Sequence, residues 1–204
     1  MRDMNVKWSL GAVGATLLLA GPLQAADEAG NYAIRGAGGF ACERYVQAVE
    51  EQSDDVRQYV RWMEGYATGL NRLQADTFDV SPILEPAAMA NLMLSICRQN
   101  PELAFETAVA QGFSSLAPMR ERAESQTDTL EHEGNTVLVR RETMRRMQRA
   151  LAELGHYTSG IDGLYGPGTR RAIIAFQESA ELTPTGLPDP DTLLNLLLAR
   201  SAAE

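Results

Sequence analysis

One turn-rich string carries residue types whose spacing suits ligand binding. It runs from Tyr157 to Thr169, includes Asp162 and Tyr165, and is followed directly by Arg170. Asp162 is placed to accept hydrogen bonds from backbone N–H groups just downstream, and nearby glycines permit positive φ angles. A partly exposed tyrosine beside a rigid loop can stack on a sugar face, and arginine pairs with carboxylates. These four side chains, Asp162, Tyr165, Thr169 and Arg170, are therefore our candidate binding residues.

The same residues also have a purely structural interpretation. Turn chemistry by itself asks for Asp162, Thr169 and the glycines between them, so fixing the loop is the favoured role for these two. For Tyr165 the structural and binding interpretations are balanced. Arg170 belongs to an arginine-rich helix surface, and such surfaces are more often only solvated than bound to carboxylates.

No catalytic constellation accompanies this string. His132 and His156 lack a second histidine and a carboxylate cluster at metal-ligand spacing, so we predict no metal site and no cofactor. The chain has no G-x-S-x-G nucleophile elbow. A carboxylate pair for glycoside cleavage stays open, because distances in space are not visible in spacing along a chain. We therefore predict a protein that is not an enzyme.

The chain contains two cysteines, Cys42 and Cys97. Both fall on the apolar stripes of predicted helices, so they face one core. An even cysteine count in an exported protein indicates a structural disulfide. A catalytic or metal-binding thiol pair is the alternative, but the chain has no C-x-x-C motif and no histidine near either cysteine.

The first 25 residues predict export. Arg2 and Lys7 precede an apolar run from Trp8 to Ala20, which a Gly-Pro pair ends. This is the layout of a cleaved signal peptide over residues 1–25. A membrane anchor is the alternative, but the run would span only about 20 Å of a roughly 30 Å hydrocarbon core. We expect a periplasmic protein that does not span the membrane.

The charge distribution excludes nucleic-acid binding and divides the chain. The formal net charge is −9 at pH 7, opposite in sign to the surplus that phosphate binding needs. Residues 26–119 hold thirteen acids and six arginines, whereas residues 140–204 hold eight of each. The shift indicates two units. Between them, residues 118–138 are acidic and lack a sustained apolar period, so we predict a flexible linker.

Residues 32–117 form the first predicted unit. Apolar side chains recur there at three- and four-residue steps in four segments, which predicts four short helices. Gly65 and Gly69 lie inside the second helix, and we expect a neighbouring helix or chain to approach closely there. Trp62 and Tyr66 also lie on it, and their helical spacing favours core packing over a binding surface. The glycine-rich stretch Gly36-Ala37-Gly38-Gly39 is predicted to be a flexible lead-in.

Residues 139–200 form the second predicted unit, with three helices. Gln148 beside Met147 and Gln177 beside Phe176 indicate that one pattern is used twice. The predicted fold class is all-α, with a disulfide-bonded four-helix N-terminal domain, an acidic linker and a three-helix-bundle C-terminal domain.

The N-terminal unit resembles the HdeA/HdeB family of periplasmic acid-stress proteins. The resemblance rests on the strings Trp62-Met63-Glu64-Gly65-Tyr66-Ala67-Thr68-Gly69 and Cys97-Arg98-Gln99-Asn100-Pro101. It implies a small disulfide-bonded helical domain that binds a protein partner, for some members as a chaperone that opens at low pH. Type VI amidase-immunity proteins share a similar layout, so an alternative function is regulation or inhibition of a cell-wall hydrolase.

The C-terminal unit resembles the peptidoglycan-binding-like domain of many exported bacterial proteins. The resemblance rests on Met147-Gln148-x-x-Leu151-x-x-Leu154-Gly155-x-Tyr157, on Ile161-Asp162-Gly163-x-Tyr165-Gly166-Pro167-x-Thr169, on Phe176-Gln177 and on Leu182-x-x-Thr185-Gly186-x-x-Asp189-x-x-Thr192-Leu193. It implies a three-helix bundle with a non-catalytic, wall-targeting role and peptidoglycan, as glycan strand or stem peptide, as the ligand. We therefore expect a wall-anchored periplasmic protein whose N-terminal domain acts on another protein.

Overall fold

A computed structural model of the chain describes residue 27 and residues 29–201. As predicted, helices dominate the part it describes. The predicted signal peptide, residues 1–25, lies outside the described residues. The helices are α1 (Cys42–Glu50), α2 (Val56–Leu73), α3 (Pro86–Gln99), α4 (Phe105–Leu116), α5 (Arg141–Glu153), α6 (Pro167–Ser179) and α7 (Pro190–Ser201), the strands are β1 (Thr127–His132) and β2 (Asn135–Arg140), and two short 3-10 helices are Gly36–Gly39 and Ala117–Met119.

The first four helices follow the predicted apolar stripes and enclose the disulfide. Cys42 at the start of α1 and Cys97 near the end of α3 are both fully buried and are bonded to each other, which confirms that prediction. Beside them Tyr45, Tyr59 and Phe105 pack with ring centroids 4.8–5.0 Å apart. The core of this part is therefore a disulfide with an aromatic cluster, contributed by α1, α2, α3 and α4.

The glycine-rich stretch before α1 is not a flexible lead-in. It forms a 3-10 helix, and a Cβ added at Gly38 would lie 2.1 Å from the indole ring of Trp62. The indole N–H donates to the carbonyl of Arg35 at 2.6 Å. Trp62 thus packs on this backbone, which requires glycine because no side chain fits under the ring.

The expected close approach at Gly65 and Gly69 is not made by the rest of this chain. In the described residues, no atom beyond the helix's own backbone comes within 4 Å of a Cβ built at either position. Approach by a neighbouring helix of the same chain is therefore wrong, and approach by another chain stays a prediction.

The all-α prediction is wrong for the segment predicted as a linker. Strands β1 and β2 form an antiparallel hairpin with His132 opposite Asn135. Its two-residue turn, Glu133 and Gly134, has φ angles of 48° and 81°, the paired positive values that favour tight hairpins. The many acids of this segment favoured a coil prediction, although its buried and exposed residues alternate every two positions as in strands. The side chains that this hairpin buries are Leu130, Val137 and Val139.

Polar contacts hold the stretch before the hairpin to α5. Glu121 is fully buried and its Oε1 accepts a hydrogen bond from the Thr143 hydroxyl. Arg146 donates to the carbonyls of Met119 and Arg120 at 2.6 and 2.9 Å. A flexible linker would leave these groups in water, so the structure replaces it with an ordered connection.

Residues Ile34–Glu204 form one compact unit. Within it, Arg140 at the end of β2 forms an ion pair of 2.8 Å with Asp79, and the backbone N–H of Leu138 donates to Glu85 at 3.0 Å. As domain boundaries, 32–117, 118–138 and 139–200 stay predictions. No helix in the described part of the chain has the length and apolar character needed to cross a membrane.

Candidate functional site

Gln148 on α5 organises the loop between α5 and α6, which carries two of the four candidate residues, Asp162 and Tyr165. The side chain is fully buried, and its Oε1 accepts the backbone N–H of Gly163 at 2.8 Å. Its Nε2 has two hydrogens, so the four acceptors within reach share them. Those acceptors are the Tyr157 hydroxyl at 3.3 Å, Asp162 Oδ1 at 3.0 Å, the Leu164 carbonyl at 3.1 Å and Thr169 Oγ1 at 3.3 Å.

Gln177 on α6 repeats this arrangement in the next loop. It is also fully buried, and its Oε1 accepts the backbone N–H of Gly186 at 2.9 Å. The structure therefore confirms that one pattern is used twice. The acceptors of its Nε2 are Thr185 Oγ1 at 2.9 Å, the Leu187 carbonyl at 3.1 Å, Asp189 Oδ2 at 3.3 Å and Thr192 Oγ1 at 2.8 Å.

Local sequence explains why each glutamine meets such a loop. Gly163 and Gly186 have φ angles of 79° and 68°, which favour glycine. Proline opens α6 and α7 at the first helical turn, where its missing N–H removes no helical hydrogen bond. The threonine two residues later, Thr169 or Thr192, then points a hydroxyl at the buried amide.

Asp162 and Thr169 are placed by this network. Thr169 is 3% exposed, and its hydroxyl donates to the carbonyl of Leu164 at 3.1 Å. Asp162 is exposed, yet its Oδ1 accepts both the Gln148 amide and the Leu164 N–H, the latter at 2.8 Å. Their positions match the loop-fixing role that turn chemistry favoured. As ligand contacts, both stay predictions.

The hydrogen bonds of Asp162 lead to a prediction about pH. They hold the pKa of its carboxyl below 3.8, through the Gln148 amide first and the Leu164 N–H second. A carboxyl with a lowered folded pKa stabilises the fold above its unfolded pKa, and the contribution is lost as pH falls through the folded pKa. We expect Asp162→Asn to melt below the wild type at pH 6, with the gap closing at acid pH.

Thermal melts followed by circular dichroism between pH 6 and pH 3 test this prediction. Glu178→Gln is a suitable control, because Glu178 is an exposed acid on α6. A gap between Asp162→Asn and wild type that keeps its size down to pH 3 would contradict the proposed role of the ionised carboxylate.

Tyr165 and Arg170 converge on Gly186, together with a histidine from the hairpin. The Tyr165 hydroxyl donates to the carbonyl of Gly186 at 2.8 Å, and burial raises the pKa of Tyr165. A Cβ added at Gly186 would lie 3.0 Å from Cγ of Arg170 and 3.2 Å from Cδ2 of His132. All three side chains are partly exposed. We call Tyr165, Arg170 and His132 the Gly186 face.

His132 is the member of this face that sequence reasoning missed. The sequence places it in the predicted flexible linker, residues 118–138, where no structural partner is expected. The signal that would have placed it is the alternation of Thr, Leu and Val around Glu133-Gly134, because a hairpin carries His132 back beside the C-terminal helices.

Arg170 differs from the arginines of α5 in having no acidic partner among the described residues. Each α5 arginine has an acidic partner within the chain. Arg170 and its neighbour Arg171 form no ion pair with any described residue. The pairs on α5 and just before it are Arg140 with Asp79, Arg141 with Asp128, Arg145 and Arg149 with Glu142, and Arg146 with Glu121.

A cleft lies beside the Gly186 loop. It has a volume of about 230 Å³, and Thr136 on β2 and Thr185 beside Gly186 both line it. Glu85 and Asp189 add acidic groups to its wall. Its size suits one side chain or one sugar ring more than a long ligand. Among residue 27 and residues 29–201, no three His, Cys, Asp or Glu side chains are grouped as a metal site requires.

Two glutamine-centred loops joined by three helices lie within one contiguous stretch of the chain. Residues 140–196 match the family described as “Putative peptidoglycan binding domain”. This peptidoglycan-binding-type domain includes α5, α6 and most of α7, and all four candidate residues fall inside it. The match supports the predicted resemblance of the C-terminal unit and covers less than a third of the chain.

Two curated proteins share sequence with the chain over limited lengths. The localization factor PodJL of Caulobacter vibrioides, from strains NA1000 / CB15N and ATCC 19089 / CIP 103742 / CB 15, is 32% identical over 90 residues, which are 44% of this chain and 9% of PodJL. The “Putative OxPP cycle protein OpcA” of Synechocystis sp. strain PCC 6803 is 46% identical over 46 residues, 22% of this chain and 10% of that protein. The matched segments thus span about a tenth of either relative. No solved structure matches the chain.

Proposed function

We propose that the peptidoglycan-binding-type domain holds this protein on the cell wall of the periplasm and does so without catalysis. The match of residues 140–196 to a peptidoglycan-binding family carries the proposal. The similarity to a protein named a localization factor agrees with a targeting role. Export by a cleaved leader, residues 1–25, belongs to the proposal and is supported by the sequence of that segment alone.

The Gly186 face offers suitable chemistry for this ligand. Peptidoglycan presents sugar faces and the carboxylates of stem peptides. Arg170 has no acidic partner among the described residues, so its guanidinium is available for a carboxylate. Tyr165 lies beside it with part of its ring exposed, which suits contact with a sugar ring or with the apolar part of a peptide.

Co-sedimentation with purified sacculi tests the proposal. We expect the chain without residues 1–25 to pellet with sacculi and Arg170→Gln to bind about tenfold more weakly, the effect of losing one charge-assisted contact. Arg171→Gln is the matched control, because Arg171 is the next residue on α6, is exposed and also lacks an acidic partner.

Three results would be informative. Loss of binding in Arg170→Gln alone supports binding at the Gly186 face. Equal losses in the Arg170 and Arg171 variants would indicate general charge attraction to the wall, and the specific role of this face would be wrong. No sedimentation of the wild type would overturn the wall-anchoring proposal.

For the N-terminal helical part, the proposal is protein binding of the HdeA type, with acid-stress chaperoning as the activity. It is supported by the buried disulfide between Cys42 and Cys97 and by the acidic composition of residues 26–119. Protonation of these acids at low pH leaves the arginines unopposed, and the resulting repulsion favours opening of apolar surface.

An acid-titrated aggregation assay separates this activity from its alternative, an immunity-type regulator of a cell-wall hydrolase. A chaperone of this kind suppresses aggregation of a client protein such as acid-treated malate dehydrogenase below about pH 3, where carboxylates are protonated, and loses the effect at pH 7. Absence of suppression at both pH values would contradict the chaperone activity and favour the regulator.

A further inference from the structure

A cavity lies between α1 and α2, in the N-terminal helical part. Its volume is about 410 Å³, within the roughly 300–1,000 Å³ range of small-molecule pockets. It shares no residue with the Gly186 face. Its wall includes Phe40, Arg44, Glu51, Asp55 and Tyr59.

Tyr59 gives this cavity a hydroxyl without a hydrogen-bond partner among the described residues. The side chain is 2% exposed, and its ring packs against Tyr45 and Phe105 at centroid distances of 5.0 and 4.9 Å. Its hydroxyl has no hydrogen-bond partner among the described residues, whereas the hydroxyl of Tyr45 donates to the Ala90 carbonyl at 2.9 Å. The hydroxyl oxygen is not one of the enclosed polar atoms that lack a partner, and Tyr59 lines the cavity, so this hydroxyl is available to a ligand atom as donor or acceptor.

Opposite charges flank this hydroxyl and are not paired with each other. Arg44 and Asp55 line the same cavity as Tyr59. Burial raises the pKa of Tyr59, while the charge of Arg44 lowers it and that of Asp55 raises it. Neither forms an ion pair within 4.0 Å with a described residue. The guanidinium of Arg44 lies 4.9 Å from the Phe40 ring centre, which holds it at the cavity wall.

The acidic side of the cavity is also ordered. Gln47 donates to Glu51 Oε1 at 2.8 Å, and the Ser53 hydroxyl accepts the backbone N–H of Asp55 at 3.2 Å. The cavity wall thus carries one cation, Arg44, and two carboxylates, Glu51 and Asp55. A ligand that has both a negative and a positive group could pair with all three. Arg44, Glu51 and Asp55 are exposed, so a sugar without charges would gain nothing from them, whereas a ligand with both charges gains charge-assisted hydrogen bonds.

We infer that this cavity binds a short peptide with a free ammonium group and a free carboxylate. Arg44 pairs with the peptide carboxylate, Asp55 and Glu51 with the ammonium group, and the Tyr59 hydroxyl donates to the amide carbonyl between them. The inference does not rest on peptidoglycan binding by residues 140–196, because the two sites share no residue.

Isothermal titration of the full chain with L-alanyl-L-alanine tests this inference, with two blocked probes. The N-acetylated dipeptide lacks the ammonium group and the dipeptide amide lacks the carboxylate. We expect each blocked probe to bind wild type about tenfold more weakly than the free dipeptide, the cost of one charge-assisted contact. Free alanine is the fourth probe and should also bind more weakly, because it has no amide for Tyr59.

Variants connect each charge to its partner. In Arg44→Gln the amide and the free dipeptide should bind equally, and in Asp55→Asn the acetylated and free dipeptides should differ less than in wild type. Tyr59→Phe keeps the packed ring and removes only the hydroxyl, so it should weaken the free dipeptide severalfold. Arg57→Gln is the control, because Arg57 lies near Asp55 on α2, is paired with Asp54 at 2.8 Å and does not line the cavity.

The outcomes are separable. Preserved discrimination against the amide in Arg44→Gln, with circular dichroism unchanged, would overturn the assigned orientation of the peptide. No heat of binding for L-alanyl-L-alanine up to about 10 mM, beyond the weakest useful affinities, would overturn the site. Tighter binding of alanine than of the dipeptide would overturn the assignment to a peptide.

Discussion

Replacement of Gln148 by leucine should lower the free energy of unfolding by about 3 kcal/mol, since a buried polar group left without its partner costs roughly 1–3 kcal/mol and this change strands more than one. Gln148 Oε1 holds the Gly163 N–H, and its amide group serves four acceptors of the same loop. Leucine fills a similar volume, so the loss reports on hydrogen bonds more than on a cavity.

Urea unfolding followed by circular dichroism measures this loss. Gln148→Glu sharpens the test, because the new carboxylate faces Asp162 and cannot donate, so it should destabilise at least as much at pH 7. Gln111→Leu is the control, since Gln111 is exposed on α4 and surface substitutions usually change stability by less than about 0.5 kcal/mol. A loss below about 1 kcal/mol for Gln148→Leu would show that the loop does not depend on this network.

The same network connects the two glutamine-centred loops of the C-terminal domain. Gln177 holds the N–H of Gly186, and the carbonyl of Gly186 accepts the Tyr165 hydroxyl. Gly186 therefore links the second loop to a candidate residue of the first. A disturbance at Gln177 would move Tyr165 and Arg170 even though it contacts neither, because both pack against this glycine.

The C-terminal domain was predictable from sequence because its rules are local. Each loop shows the same local signals in the sequence. Proline marks the helix start, and the glycine at positive φ and the threonine two residues after the proline are the residues that the buried glutamine contacts. The repeated pattern around Gln148 and Gln177 also indicates that the loops before α6 and α7 have the same arrangement. Periodicity does not show which side chains each helix surface contacts. The pairs of Arg141 with Asp128 and of Arg146 with Glu121 therefore could not be predicted from the sequence.

The linker was mispredicted because composition and pattern disagree there. Five acids between residues 118 and 138 suggest a solvated coil, but one of them, Glu121, is buried against Thr143. The strands need only three inward apolar side chains, too few to raise the mean hydropathy of the segment. Burial of an acid can be predicted only when its hydrogen-bond partner is known, and the partner of Glu121 is Thr143, which lies 22 residues further along the chain.

Removal of the disulfide through Cys42→Ala and Cys97→Ala should lower the free energy of unfolding by about 4 kcal/mol, because the bond closes a loop of 55 residues in the unfolded chain. Both cysteines are fully buried, so a small additional loss comes from the missing sulfur atoms. This part of the chain is small, and its core is four short helices around the bond.

Trp62 makes this measurement specific. Trp8 and Trp62 are the two tryptophans of the chain, so removal of residues 1–25 leaves Trp62 as the single fluorophore of its type, on α2 and far from residues 140–196 in sequence. We expect fluorescence and circular dichroism to shift together to lower urea in the double variant if Ile34–Glu204 unfolds cooperatively. Wild type reduced by dithiothreitol is the control and should unfold as the variant does. Equal stability of the oxidised and reduced wild type would show that the disulfide contributes nothing to the fold, and separated transitions would show that the two parts unfold independently.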